Sequence, residues 1–343
     1  MSFINKTLNS IRTNLITQGD PFNCDGKDVI ICITGNPGFI EFYTEFSEEL
    51  YRSTDLPVCI IGHAGHELLP NEQSKLEGRE DIFNLNGQLK HKLDLIKNHI
   101  DKNSRLHFIG HSIGSWFLIE LLDNNDDLYK RTASVNLLFP TIQKMAQSEK
   151  GKFLNGFVRK IHSFLFLFSF LLYLPQLFLS FIVNMYLKIN GLSPINKNRI
   201  LNILNPKILE KVLFLAYDEM DTVTELNKKG FEKIKHLTNI IYTKSDGWAP
   251  YEYMKDLMVY QPDLQMKEVN ADHSFVLKSS ESIASLAADF INTKVEYGYK
   301  DMEMQAACAA SRHNHRSLQI KYYIVQYNNI TCTSICNQFI NNR

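Results

Sequence analysis

Three side chains, spaced in one order along the chain, have the types needed for nucleophilic catalysis. Gly110-His111-Ser112-Ile113-Gly114 matches the pattern G-x-S-x-G, between a strand-like run (Arg105 to Gly110) and an apolar helix-like run (Ile113 to Leu122). A serine on a sharp strand-to-helix turn needs small residues two before and two after it, so that the backbone segments can pass closely. Such a turn would expose Ser112 as a nucleophile and aim the backbone N–H of Ile113 at a developing oxyanion. A hydroxyl needs a base, and the base needs an orienting acid. His273, in Asn270-Ala271-Asp272-His273-Ser274-Phe275, follows the last strand-like run and is the expected base. Asp246, in Thr243-Lys244-Ser245-Asp246-Gly247-Trp248, ends the strand-like run before it and is the expected acid; Asp218, Asp221 and Asp272 are rivals less well placed. A second oxyanion donor is expected after the first core strand, in Thr34-Gly35-Asn36-Pro37-Gly38. Pro37 has no N–H, which leaves the amide of Asn36.

These residues need a rigid frame, and the hydropathy pattern supplies one. Asp28 to Thr34, Leu56 to His63, Arg105 to Gly110 and Ala133 to Phe139 are short apolar runs of the kind buried on both faces of a parallel sheet. Helical spacing separates them: Phe39 to Tyr51, then Asn84 to Ile100 with apolar residues at 85, 89, 93, 95, 96 and 100, then Ile113 to Leu122. The alternation predicts an α/β fold with a mostly parallel central sheet and flanking helices. It stops after Pro140 and resumes at Leu237 to Thr243, followed by a short strand at Gln265 to Val269 and a helix from Ser282 to Ile291. The expected organisation is an N-terminal segment 1–27, a first core half 28–140, a helical cap insertion 141–235, a second core half 236–295 and a polar tail 296–343, where 320–327 could pair as an edge strand.

In combination these motifs resemble the lipid droplet-associated hydrolase family of the α/β-hydrolases. The resemblance rests on Gly35-Asn36-Pro37-Gly38, His63-Ala64-Gly65-His66, Leu85-Asn86-Gly87-Gln88, Gly110-His111-Ser112-Ile113-Gly114, Asp246-Gly247-Trp248 and His273, and spans about residues 28–292. It implies the α/β-hydrolase fold, Ser112 as nucleophile with Asp246 and His273 as partners, and neutral-lipid or sterol esters as candidate substrates. It also implies a place at lipid droplets or the endoplasmic reticulum, on the cytosolic face.

A membrane element is legible independently of that resemblance. Ile161 to Leu187 contains no Asp, Glu, Lys or Arg over 27 residues, and eight of the 22 phenylalanines lie between 153 and 181. The run is long enough to span a bilayer. A single crossing would, however, put the two halves of one sheet on opposite sides. Pro175 breaks a helix near the middle, so an apolar hairpin bearing Phe164, Phe166, Phe168, Phe170, Phe178 and Phe181 is expected to enter one leaflet. A cap helix pair packed over the site is the alternative.

Composition bounds the rest. Apolar residues are 44% and charged residues 22%, so the chain folds. Lys+Arg and Asp+Glu are both 37, and this zero formal charge gives no field for nucleic acid. The N-terminus has no apolar core of a signal peptide, so the cysteines are expected to be reduced thiols. His63 and His66 read as loop residues and not as metal ligands. No glycine-rich phosphate loop is present, and no cofactor is expected.

Overall fold

The apolar runs do form one sheet, but its first edge comes from the N-terminal segment, whose strand signature is weak. In the computed structural model, which describes residues 1–70, 72–160 and 176–313, eight strands run in the order β1-β2-β4-β3-β5-β6-β7-β8. They are β1 (Ser2–Leu8), β2 (Ile11–Gln18), β3 (Val29–Ile33), β4 (Val58–Ile61), β5 (Leu106–His111), β6 (Thr132–Leu138), β7 (Thr238–Tyr242) and β8 (Gln265–Glu268). From β4 to β8 every pairing is parallel. β1 and β2 form an antiparallel hairpin that lays β2 antiparallel on β4.

Residues 2–18, read from sequence as a segment without strands, are thus part of the sheet. Their polar inward residues hide the signal. Thr13 and Gln18 are buried, and each finds a partner: Thr13 Oγ1 lies 2.7 Å from His91 Nε2, and Gln18 Nε2 donates to Ser47 Oγ at 3.2 Å. The turn between the strands is Asn9-Ser10, both at positive φ (46° and 66°), the backbone that a two-residue hairpin requires.

The helices are α1 (Thr44–Thr54), α2 (Leu85–Asn98), α3 (Ile113–Asp123), α4 (Gln176–Ile189), α5 (Asn196–Ile203), α6 (Pro206–Thr222), α7 (Lys228–Ile234) and α8 (Ser280–His313), with shorter turns between them. Strand β3 shows how they cover the sheet. Val29, Ile31 and Ile33 face Leu95 and Ile96 of α2, Phe117 of α3 and Phe231 of α7. Ile30 and Cys32 face the other way, toward Phe46 and Leu50 of α1 and Ala284, Ala287 and Ile291 of α8. Alternation of side chains along a strand produces the two layers. Each such aliphatic side chain contributes about 1.5–3 kcal/mol when fully buried.

The chain forms two units, Met1–Val295 and Glu296–Arg343. The sheet lies in the first. In the second, residues 296–313 continue helix α8 where the sequence reading had a tail. The run Glu303 to Ala310 holds four alanines with Glu303, Met304 and Gln305, residues with high helix propensity. The edge strand expected at 320–327 lies outside the described residues.

Between β6 and β7 the described residues are helical or irregular. This excursion is closed at its base by two backbone hydrogen bonds, Lys144 N–H to Thr224 O and Met145 N–H to Val223 O, both 3.0 Å. Helix α6 starts at a sequence-encoded stop: Asn205 caps it by accepting from Lys207 N–H, and Pro206 follows at the first helical position.

Candidate active site

Ser112 sits between the end of β5 and the start of α3, with φ 53° and ψ −121°. No L-residue adopts this backbone without strain. The turn is enforced from both sides. A Cβ on Gly110 would lie 2.7 Å from the backbone of Gly114, and a Cβ on Gly114 would lie 2.3 Å from Ile33 O. Only glycine fits at either position. The Ser112 N–H donates to Leu138 O of β6 at 2.9 Å, which ties the turn to the next strand.

The structure brings Ser112, His273 and Asp246 together. Ser112 Oγ lies 2.9 Å from His273 Nε2, and His273 Nδ1 lies 2.7 Å from Asp246 Oδ2. A carboxylate can only accept, so Nδ1 carries the proton and Nε2 is left bare to accept from the Ser112 hydroxyl. Asp246 Oδ1 accepts the N–H groups of Trp248 at 2.8 Å and Ala249 at 3.0 Å. Burial pushes the Asp246 acid up. The His273 hydrogen bond and charge, with these two amides, outweigh it and hold the acid below the usual carboxylate range. The other aspartates are engaged elsewhere or face solvent. Asp218 Oδ2 accepts the N–H of Leu85 at the start of α2, Asp221 pairs with Arg159, and Asp272 is exposed.

On the other side of the serine stands the turn after β3. A Cβ on Gly35 would lie 3.0 Å from Ser112 Cβ, so this backbone rests directly on the nucleophile. The side-chain NH₂ of the next residue, Asn36, is committed to α6: Nδ2 donates to Val212 O at 3.2 Å and to Glu219 Oε1 at 2.9 Å, while Oδ1 is buried without a hydrogen-bond partner. Burial raises the Glu219 acid to about 8. Asn36 lies in this turn after β3, and Ile113 is at the first turn of α3.

Sequence reasoning missed three neighbours. Thr141 Oγ1 lies 3.4 Å from Ser112 Oγ, Glu219 holds Asn36, and Tyr43 bonds to His111. Tyr43 and Glu219 lie in a helical turn and a helix respectively, where nothing in the local pattern separates them from packing residues. His66 Nδ1 accepts the N–H of Gly38 at 3.0 Å, and His63 packs edge-on against it. Among the described residues no group of three or more His, Cys, Asp and Glu has a metal-binding arrangement.

Of the apolar run, Phe164, Phe166, Phe168, Phe170 and Pro175 lie outside the described residues. Phe178 and Phe181 are on α4, where they are 50% and 62% exposed. Val183 and Leu187 are buried, yet Leu177, Ile182, Met185 and Ile189 are also exposed. Among the described residues no helix is long and apolar enough to cross a membrane.

Residues 26–276 match the family model described as lipid-droplet associated hydrolase. A "Lipid droplet-associated hydrolase" of Drosophila melanogaster is 36% identical over 296 residues, 83% of this chain and 96% of the relative. The human protein of the same name is 35% identical over 280 residues, 77% of this chain and 84% of the relative. Solved structures share the fold at low identity. A bacterial membrane phospholipase A superposes with a TM-score of 0.59 at 15% identity, over 85% of this chain and 86% of the other. An enol-lactonase from Burkholderia xenovorans gives 0.58 at 13%, over 84% and 100%. The fold is that of the α/β-hydrolases.

Proposed function

We propose, since this chain belongs to the lipid-droplet associated hydrolase family, that it is a serine hydrolase cleaving carboxylic esters of lipids, of the sterol ester or acylglycerol class, at a droplet or endoplasmic reticulum surface. The observation that carries the mechanism is the chain of contacts Ser112–His273–Asp246, at 2.9 and 2.7 Å, on a strained elbow. Ser112 Oγ attacks the acyl carbonyl carbon while His273 Nε2 takes its proton. Asp246 holds the imidazole in the reactive tautomer and stabilises the imidazolium. The carbonyl oxygen becomes an oxyanion facing the amides of Ile113 and Asn36. Collapse breaks the ester C–O bond, and His273 returns the proton to the leaving alcohol. Water, deprotonated by the same imidazole, then hydrolyses the acyl-enzyme.

The test is labelling of the purified full-length chain with a fluorophosphonate, beside turnover of emulsified sterol and glyceride esters. Stoichiometric labelling at Ser112 with ester turnover is expected. A folded chain that does not label sinks the hydrolase reading and favours its rival, a droplet protein in which core and hairpin serve storage or contacts.

Helix α4 supports the surface location. Its 14 residues expose Leu177, Phe178, Phe181, Ile182 and Met185 to solvent, an apolar area that water disfavours and a lipid monolayer accepts. Phe153 and Phe157 add a stacked, exposed pair, with ring centroids 5.6 Å apart. Deleting 161–187 is expected to release the protein from droplets; unchanged droplet localisation would count against the anchor and for a cap.

A further inference from the structure

His111, the variable residue of the G-x-S-x-G pattern, has a side chain that turns away from the reacting atoms and is buried among Tyr43, Phe139 and Phe275. Its two ring nitrogens are both engaged. Nε2 lies 2.9 Å from the backbone carbonyl oxygen of His273, and Nδ1 lies 2.6 Å from Tyr43 Oη. Tyr43 Oη in turn accepts the N–H of Gly35 at 2.9 Å.

These contacts fix the position of every proton. A carbonyl oxygen only accepts, so His111 Nε2 carries hydrogen. Around the ring stand Tyr43, His273 and, behind it, Asp246. Burial, with the His273 charge, lowers the His111 pKa to about 3. The ring is therefore neutral and Nδ1 is an acceptor. Tyr43, whose ionisation burial also opposes, must then donate its hydroxyl hydrogen to Nδ1 and receive the Gly35 N–H on its oxygen. No other arrangement satisfies all four groups.

We propose that His111 and Tyr43 are positioning residues: a single directed line of hydrogen bonds, Gly35 N–H to Tyr43 to His111 to His273 O, sets the base loop and the oxyanion turn against the elbow. The proposal rests on the serine hydrolase reading above. The loop needs such a tie. Asp272 and Ser274, on either side of His273, are exposed. The main-chain bonds that flank the loop lie at Val269 N–H to Tyr242 O and at Leu277 N–H to Ser274 O. Between them His111 grips the carbonyl of His273 itself. On the other branch, Gly35 immediately precedes Asn36, the residue to which the proposed mechanism gives the second oxyanion amide. A shift of about 1 Å at either group is enough to slow chemistry by up to about 100-fold.

The line also explains why a histidine suits this position. The residue must present a donor and an acceptor on one rigid, neutral group. Glutamine can do the same, whereas leucine can only fill the space.

The experiment measures fluorophosphonate labelling rates of the full-length chain for wild type, His111→Leu, His111→Gln and Tyr43→Phe, with ring-nitrogen NMR of labelled histidines. His111→Leu is expected to slow labelling by about 10- to 100-fold, His111→Gln by no more than a few-fold, and Tyr43→Phe by about 3- to 10-fold. In wild type the His111 ring should stay neutral with hydrogen on Nε2 from about pH 5 to 8. Rates for His111→Leu within two-fold of wild type overturn the proposal, as does a His111 ring that titrates in that range. If His111→Leu fails to fold, Tyr43→Phe, which loses one oxygen and keeps the ring, carries the test. A wild type that does not label while His111 shows the expected tautomer would retain the line of bonds and reject the hydrolase reading, so the two failures are distinct.

Discussion

Replacing Ser112 by alanine or by glycine is expected to reduce ester turnover by about 10⁴-fold or more and to abolish fluorophosphonate labelling. The two variants should nevertheless differ in stability. Both lose the hydroxyl and its bond to His273, so that loss cancels between them. What differs is the backbone. At φ 53° and ψ −121° an alanine keeps the strain that serine carries, and a glycine does not. The glycine variant should exceed the alanine variant by about 1 kcal/mol, or about 2 °C in melting temperature for a unit of this size. Equal melting temperatures would mean that the strain at the elbow is no larger than the extra entropy a glycine loses on folding, about 0.5–1 kcal/mol. Retained labelling in either variant would remove Ser112 from the chemistry.

Asp246→Asn is expected to lower turnover by about 10³- to 10⁴-fold at neutral pH with little change in fold. Asp246 Oδ1 already receives two backbone N–H groups, from Trp248 and Ala249. An asparagine must keep its oxygen there, which turns its NH₂ toward His273. The imidazole then presents a bare Nδ1 to that donor and moves its hydrogen to Nε2, where it can no longer accept from Ser112. The pH dependence follows from the lowered pKa of Asp246. An acid depressed in the folded state stabilises the fold above its unfolded value, near 4, and that contribution fades as pH falls through the lower folded value. Wild type should therefore keep this contribution throughout the neutral range and lose it only below about pH 4. A thermal unfolding series against pH, run on both proteins, measures the difference. Undiminished turnover in Asp246→Asn would assign the orienting role elsewhere.

The legible parts of this molecule are those in which local pattern and tertiary role coincide. Strands β3 to β7 are buried on both faces, so their apolar runs announce them, and the glycines at 110 and 114 announce a turn that sterics alone demand. The β1–β2 hairpin is illegible for the opposite reason. Its inward Thr13 and Gln18 are satisfied by His91 and Ser47, which are 78 and 29 residues distant, and no local reading can find those partners. Asn9-Ser10 between two alternating stretches was the one available signal. Tyr43 and Glu219 follow the same rule: one is 68 residues from His111 and the other 183 from Asn36. Their meaning exists only after folding. Helix α8 exceeded its expected length because helix propensity does not need a core to act.

The clasp of Lys144 and Met145 with Val223 and Thr224 has a consequence for how such a chain can diversify. An excursion whose two ends are already tied together behaves as an appendage: its length and composition can change without moving the strands beneath. Closing a loop of twice the length costs only about 0.6 kcal/mol more. Surface preference can thus be rewritten beyond the clasp while the chemistry below it is inherited intact. The exceptions are α5, whose Arg199 pairs with Glu45 of α1, and α6, whose Val212 and Glu219 reach back to Asn36. A graft that kept the clasp but replaced α6 would inherit the serine and lose the hand that steadies the opposite wall.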